Sequence, residues 1–223
     1  MIAFANILRT IHGRIRMARL RRAGAFQPVS LTSMDRYPHI FRFVQETLGG
    51  SGAVALLSFG CSTGEEVFTL RNYFPKARIK GLDVAPENIR IARRRLRTAP
   101  DEGLHFEVAA STAGEAADTY DAIFCMAVFR HGLANRPDVM RCDRWIRFDD
   151  FARAIADITR CLKPGGLLVI SYSNFRFADT PVAARFETIL EDRVTKRRAR
   201  IFGKDNRAIP GLTYSDVVFR KLG

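Results

Sequence analysis

Two hydrophobic periods follow one another along the chain, and the change between them divides it. From Ile2 to about Arg22, apolar residues recur at Phe4, Ile7, Leu8, Ile11, Ile15 and, more loosely, Ala18, with Arg9, His12, Arg16 and Arg19 on the other face. That spacing is helical and predicts a basic amphipathic helix. Gly24, Pro28, Ser30, Thr32 and Ser33 mark residues 23–34 as a loop. The segment HIFRFVQETL after Pro38 reads as a second helix, stopped by Gly49-Gly50. These helices make an expected N-terminal helical segment, residues 1–50, ahead of a second unit at 51–223.

From Ala53 the pattern changes. Continuous apolar runs at 53–59, 78–83, 105–110, 120–129 and 166–173 alternate with helical patterns at 65–74, 86–96 and 148–162. Continuous runs are strands buried on both faces, and strands separated by helices pair in parallel. The expected fold class is therefore α/β, an open doubly wound sheet. Residues 214–222 read as a last strand, whereas 186–190 fit either a strand or a helix.

Composition agrees with a real core: 47% of the 223 residues are hydrophobic. No run approaches the ~20 uncharged apolar residues of a membrane span. The arginine-interrupted start lacks the apolar centre of a secretory signal and reads as a folded helix before a transit peptide. Cys61, Cys125, Cys142 and Cys161 form no C-x-x-C pair, so reduced thiols and a cytoplasmic location are expected. His12, His39, His105 and His131 lack carboxylate partners at ligand spacing, so no metal is expected. The net charge of +13 is concentrated before Asp35 and between Arg193 and Arg207. Such a balance suits nucleic acid, an anionic membrane surface or an acidic substrate, and equally a solvated arginine-rich surface.

The chemistry is best marked in the turn after the first strand, Ser58-Phe59-Gly60-Cys61-Ser62-Thr63-Gly64-Glu65-Glu66. Gly60 and Gly64 allow a sharp turn and a close approach to a ligand. Ser62 replaces the middle glycine of a dinucleotide fingerprint, and two carboxylates at the helix start would repel a pyrophosphate. A ligand carrying a sulfonium and an ammonium fits better. Asp83 ends the second strand, where an acidic residue can accept ribose hydroxyls. After the third strand stand Ala109, Ala110 and Ser111, with no acid for an adenine amine.

The glycine turn, Asp83, the DAIFCMAV strand and LKPGGLLVI at 162–170 together resemble the class I S-adenosylmethionine-dependent methyltransferases. That resemblance implies S-adenosyl-L-methionine as cofactor and a mostly parallel, Rossmann-like seven-stranded sheet with its last strand inserted antiparallel. GCSTGEE and the stretch Thr32 to Phe41 are also similar to elements of the chemotaxis-receptor glutamate methyltransferases, which implies cofactor contacts for Arg36 and Glu65. The fourth strand departs from that narrower family, with Ala127 and His131 where it has asparagine and tyrosine. The expected cofactor residues are Arg36, Gly60, Cys61, Ser62, Gly64, Glu65, Asp83, Val84, Ala110, Ser111, Cys125 and Met126.

His131 follows the fourth strand and is the expected proton acceptor, since its titration range suits that role. Arg130, Arg136, Arg141, Arg144 and Arg147 crowd the same connection and could hold an acidic acceptor, with Trp145 as an apolar wall. No Asn-Pro-Pro-Tyr or Asp-Pro-Pro-Tyr follows that strand, which disfavours amino methylation of nucleobases. The expected function is O-methylation of a small or saccharide-like acceptor, neutral or anionic. The alternatives are a protein carboxylate methyltransferase, and a nucleic-acid or membrane-surface protein with a non-catalytic cofactor site.

Overall fold

The computed structural model describes residue 20 and residues 24–27, 32–49, 52–195 and 199–223. The opening helix expected at 2–22 lies outside the described residues, except for Leu20. The helix after Pro38 is α1 (Pro38–Thr47), with proline in its first turn and Ile40, Phe41 and Val44 buried along one face. It is followed by β1 (Ala55–Phe59), α2 (Glu65–Tyr73), β2 (Arg78–Asp83), α3 (Pro86–Thr98), β3 (Leu104–Val108) and β4 (Tyr120–Met126). The chain continues through α4 (Phe148–Arg160), β5 (Leu162–Ser171), β6 (Phe186–Glu191) and β7 (Asp216–Lys221).

The strands form one seven-stranded sheet in the order β3-β2-β1-β4-β5-β7-β6. Neighbours from β3 to β5 are parallel, while β7 runs antiparallel to both β5 and β6. This is the doubly wound sheet expected, with the antiparallel insertion that the family resemblance implied. Residues 186–190, left open between helix and strand, are strand.

Burial explains which runs were easiest to read. All five residues of β1 are buried, whereas the edge strand β3 alternates and the other edge, β6, has no buried residue. Inside the continuous runs the two-residue period survives. Leu57, Ile123 and Leu168 join Phe151 and Ile155 of α4 on one face. Leu56, Phe124 and Val169 join Phe41 of α1, Val67 of α2 and Ile89 of α3 on the other. Helix α1 thus belongs to the sheet's own core, with the Phe41 ring 5.8 Å from those of Phe124 and Tyr73.

Two strand ends differ from expectation by more than two residues. β4 stops at Met126 because Ala127 turns into the left-handed region at φ 58°. β5 begins at Leu162, before the glycines, through a register shift between Tyr120 and Ala122.

The antiparallel seam is pinned by a buried ammonium. Lys221 at the end of β7 is 7% exposed and donates to Asp118 Oδ1 at 3.1 Å, the Thr159 carbonyl at 3.2 Å and the Leu162 carbonyl. Two of these acceptors lie at the α4–β5 junction, so the side chain ties β7 to its neighbour's beginning. Replacing Lys221 by Met strands these acceptors and is expected to lower unfolding free energy by about 1–3 kcal/mol. By contrast, Arg220→Ala breaks only an exposed pair with Glu187 and is expected to cost well under about 1 kcal/mol. Urea denaturation of both variants checks the contrast.

Candidate functional site

The carboxyl ends of β1, β2 and β4 meet where the strand order reverses, the position at which open α/β sheets bind ligands. After β1 the amides of Gly60 and Cys61 both donate to the Leu82 carbonyl, at 2.8 and 2.9 Å, which ties the turn to β2. Gly60 has φ +78°, and a Cβ there would stand 2.5 Å from Val128 Cγ2. Three residues with side chains also have positive φ at this sheet edge: Ser62 (52°), Ala127 (58°) and Tyr172 (56°). Such conformations cost on the order of 1 kcal/mol or more each and tend to cluster at ligand sites.

Asp83 organises the floor. Its Oδ2 accepts from the Ser62 amide at 2.8 Å, and its Oδ1 accepts from the Ala85 amide at 2.9 Å and Asn88 Nδ2 at 3.0 Å. Burial pushes its carboxyl above the usual range, and the three donors oppose that. Ser62 is itself buried, and its Oγ makes no hydrogen bond among the described residues.

A cleft of about 1110 Å³, counting the open space at its mouth, lies over this floor. Its walls are the glycine turn, the residues after β2 and β3, the end of β4, and Arg36 with Tyr37 ahead of α1. Glu66 reaches the cleft from the first turn of α2, and its Oε1 accepts from Ser58 Oγ at 2.7 Å. Glu66 remains open to the cleft but is closely surrounded by protein, and this desolvation raises its carboxyl to about 7 against the pull of Ser58 and Arg36. At the opposite wall the Arg130 guanidinium lies 4.3 Å over the Tyr172 ring.

Most of the expected cofactor residues line this space: Arg36, Gly60, Cys61, Ser62, Asp83, Val84, Ala110 and Met126. Gly64, Glu65, Ser111 and Cys125 lie outside the lining. Gly64 caps α2, and Ser111 is exposed with its Oγ 3.4 Å from the Ala113 amide. Cys125 is wholly buried in the core on the α4 side of the sheet. Glu65 points away from the cleft to an ion pair with Arg95. The reason is helical phase, since Glu66, Thr69 and Leu70 share the inward face of α2.

The expectation for His131 is corrected. The ring is 4% exposed and lies beneath the β4–α4 connection rather than at the rim. Its Nδ1 accepts from the Leu133 amide at 3.3 Å, capping a 3-10 turn at Gly132–Asn135, and the ring stacks on Trp145. Trp145 therefore covers the histidine. Arg136 and Arg141 form exposed pairs with Asp138 and Asp143, while Arg130 alone of that arginine group lines the cleft. Glu66, Tyr37 and Asn88 were not singled out from the sequence. The buried phase of α2 was the available signal for Glu66.

Residues 57–168, half of the chain, match the family described as methyltransferase domain. The chain belongs to that family. It is a class I methyltransferase domain whose cofactor is S-adenosylmethionine. The small-subunit ribosomal RNA methyltransferase C of Hahella chejuensis is 31% identical over 121 residues, 54% of this chain and 31% of that protein. The chain thus spans about a third of the length of that curated relative. Among solved structures, phosphoethanolamine N-methyltransferase 2 of Haemonchus contortus aligns with TM-score 0.47 and 18% identity, over 63% of this chain and 29% of that one. Geranyl diphosphate C-methyltransferase of Streptomyces coelicolor aligns with TM-score 0.44 and 18% identity, over 60% and 44%.

The residues present suit the cofactor: a buried Ser62 hydroxyl with no partner among the described residues, an oriented carboxylate at Asp83 and a backbone cradle at Gly60 that a Cβ would fill. Gly60→Ala adds a clash and a strained φ, so S-adenosylhomocysteine affinity is expected to fall at least about tenfold by titration calorimetry, on the order of 1.4 kcal/mol.

Glu66 gives a pH signature. Its folded value is raised from 4.5 to about 7. The contribution to stability is therefore fully present below about pH 4.5 and is lost as pH rises through about 7. It amounts to at most about 3 kcal/mol. Glu66→Gln should flatten the fall in melting temperature between about pH 5 and 8, measured without ligand. An unchanged pH profile in that variant would place the titration elsewhere.

Proposed function

We propose that this domain transfers the methyl group of S-adenosylmethionine to a hydroxyl of a small, saccharide-like acceptor. The carrying observation is the convergence of Asp83, Glu66 and Arg36 on one cleft, three charged groups whose signs answer the three polar ends of that donor. Asp83, already oriented by three donors, keeps acceptor capacity for a ribose hydroxyl. Glu66 faces an ammonium, and Arg36 offers a planar fork to a carboxylate. Ala109 and Ala110 leave room for a flat base beside Met126.

Bound there, the cofactor supplies an electrophilic methyl group on a positively charged sulfur. The chain's task is alignment, because an in-line displacement gains chiefly from fixed geometry. Held by Asp83, Glu66 and Arg36, the donor would give its methyl group to the acceptor oxygen and be left as a neutral thioether, and the open mouth of the cleft would let the hydroxyl proton pass to water.

A second reading has specific support. The Hahella chejuensis relative is named for a ribosomal RNA substrate, and this chain carries a net +13, so an RNA acceptor is the principal competitor. A protein carboxylate acceptor has the weaker support of the GCSTGEE likeness.

Incubation with radiolabelled S-adenosylmethionine and a fractionated cell extract distinguishes these. Label is expected in the small-molecule or polysaccharide fraction. Label in RNA, falling steeply between about 50 and 200 mM salt, would establish the second reading instead, and label in protein the third. Asp83→Ala is expected to weaken S-adenosylhomocysteine binding at least about tenfold.

A further inference from the structure

Many exposed arginines of this chain lie against a carboxylate. Arg136, Arg141, Arg153, Arg193 and Arg220 pair with Asp138, Asp143, Asp150, Glu191 and Glu187 in turn. Helix α3 is different. It carries five arginines and one acid, Glu87. Two of the five are engaged, Arg93 with the Phe106 carbonyl and Arg95 with Glu65. Arg90, Arg94 and Arg97 are exposed and make no ion pair among the described residues. Those residues include all 23 acids of the chain, so no carboxylate elsewhere could serve them.

Helical spacing puts these three arginines in one row, about 10 Å long. Like charges three and four residues apart repel one another. The helix dipole favours Arg97 in the last turn but gives nothing to Arg90, in the first half of the helix. An external anion would relieve the row. Ile91, 40% exposed, lies beside it, about 60° from Arg94 and about 40° from Arg95 around the helix. Arg95 Nη2 in turn stands 3.9 Å from Met34 Sδ, and Met34 is 45% exposed. The same sulfur lies 3.9 Å from the hydroxyl of Thr69, which lines the cofactor cleft. The arginine row and its two aliphatic neighbours thus run up to the cleft.

Cations beside exposed aliphatic side chains suit an anionic lipid surface. Guanidinium forks meet headgroup phosphates, and the aliphatic groups enter the acyl boundary. A single-stranded nucleic acid asks for a basic groove with aromatic platforms instead. This face is the outside of a helix packed on the sheet, with aliphatic exposed groups, and the nearby Phe68 ring is covered by Arg95 at 4.7 Å. We propose that the outer face of α3 is a docking surface for a membrane containing anionic lipid, and that docking there sets the cofactor cleft beside the headgroups. This goes beyond the donor reading and does not depend on it.

The test is sedimentation of the full chain with vesicles, one set of phosphatidylcholine alone and one mixed with phosphatidylglycerol. Binding is expected to the mixed vesicles only, weakening as salt rises from about 50 to 200 mM. Together, Arg90→Gln, Arg94→Gln and Arg97→Gln should lower the partition coefficient at least about tenfold. Arg136→Gln, Arg141→Gln and Arg153→Gln remove the same charge from paired positions and should change it less than about threefold. Ile91→Ser with Met34→Ser should lower it about threefold or more. S-adenosylhomocysteine affinity should stay within about twofold throughout, which shows the variants folded. Absent binding to the mixed vesicles, equal loss in the two arginine triples, or full retention in either the α3 triple or the aliphatic double would each overturn the proposal. Retention by poly(U) without vesicle binding would make the face a nucleic-acid surface and overturn it as well.

Discussion

The carboxylate of Asp83 is the constraint on which the site depends. It ends β2, yet its bonds reach the turn after β1 through the Ser62 amide and the start of α3 through the Ala85 amide and Asn88. One side chain therefore sets the distance between two adjacent βα connections. The Leu82 carbonyl adds the reciprocal tie by accepting from Gly60 and Cys61. A buried carboxylate costs desolvation unless it is hydrogen-bonded, and here the bonds that satisfy it are the ones that shape the floor. The same group can thus be structural toward the protein and receptive toward the cleft.

That arrangement needs the strand order of this sheet. β1 has β2 on one side and β4 on the other, so the connections from β1 and β4 leave the edge in opposite directions and open a crevice. Three strained residues lie at this edge, with Ser62, Ala127 and Tyr172 following β1, β4 and β5. A strand that simply continued would close the gap. Turning each chain abruptly at the same level keeps it open. The antiparallel β7 extends the edge by delivering its beginning, Tyr214 to Asp216, where a parallel strand would deliver its end.

The central fold was legible because its strands are buried on both faces, which leaves a continuous apolar run no loop would carry. β2 begins and ends at Arg78 and Asp83, as its apolar run does. Edge strands carry a weaker signal, and β6, with residues such as Glu187 and Glu191 and none buried, could have been a helix on pattern alone. In the site, glycine spacing and strand ends were readable because backbone geometry demands them. The choice between Glu65 and Glu66 was not readable from the motif, since adjacent helical residues differ by about 100° and only the packed phase of α2 decides between them. His131 was misleading for a related reason. A histidine after β4 suggests a reactive rim, but the insertion folds back and Trp145 covers it.

The electrostatic design follows from setting the charge of the chain beside the charge of its cavities. The molecule is strongly basic at +13, and a cationic donor should be repelled by such a surface. Screening limits that repulsion to about 8 Å at physiological salt, and many surface arginines are locally compensated, as in the Arg136–Asp138, Arg141–Asp143 and Arg153–Asp150 pairs. Two further acids, Asp83 and Glu66, line the cleft. Low-dielectric walls strengthen their field over short range. A cation at the mouth therefore meets a surface whose repulsion is short-ranged and partly cancelled, and inside the cleft the carboxyls of Asp83 and Glu66 set against the guanidiniums of Arg36 and Arg130. A donor with both cationic and anionic ends thus answers to where these few charges are placed, more than to the net charge of the chain.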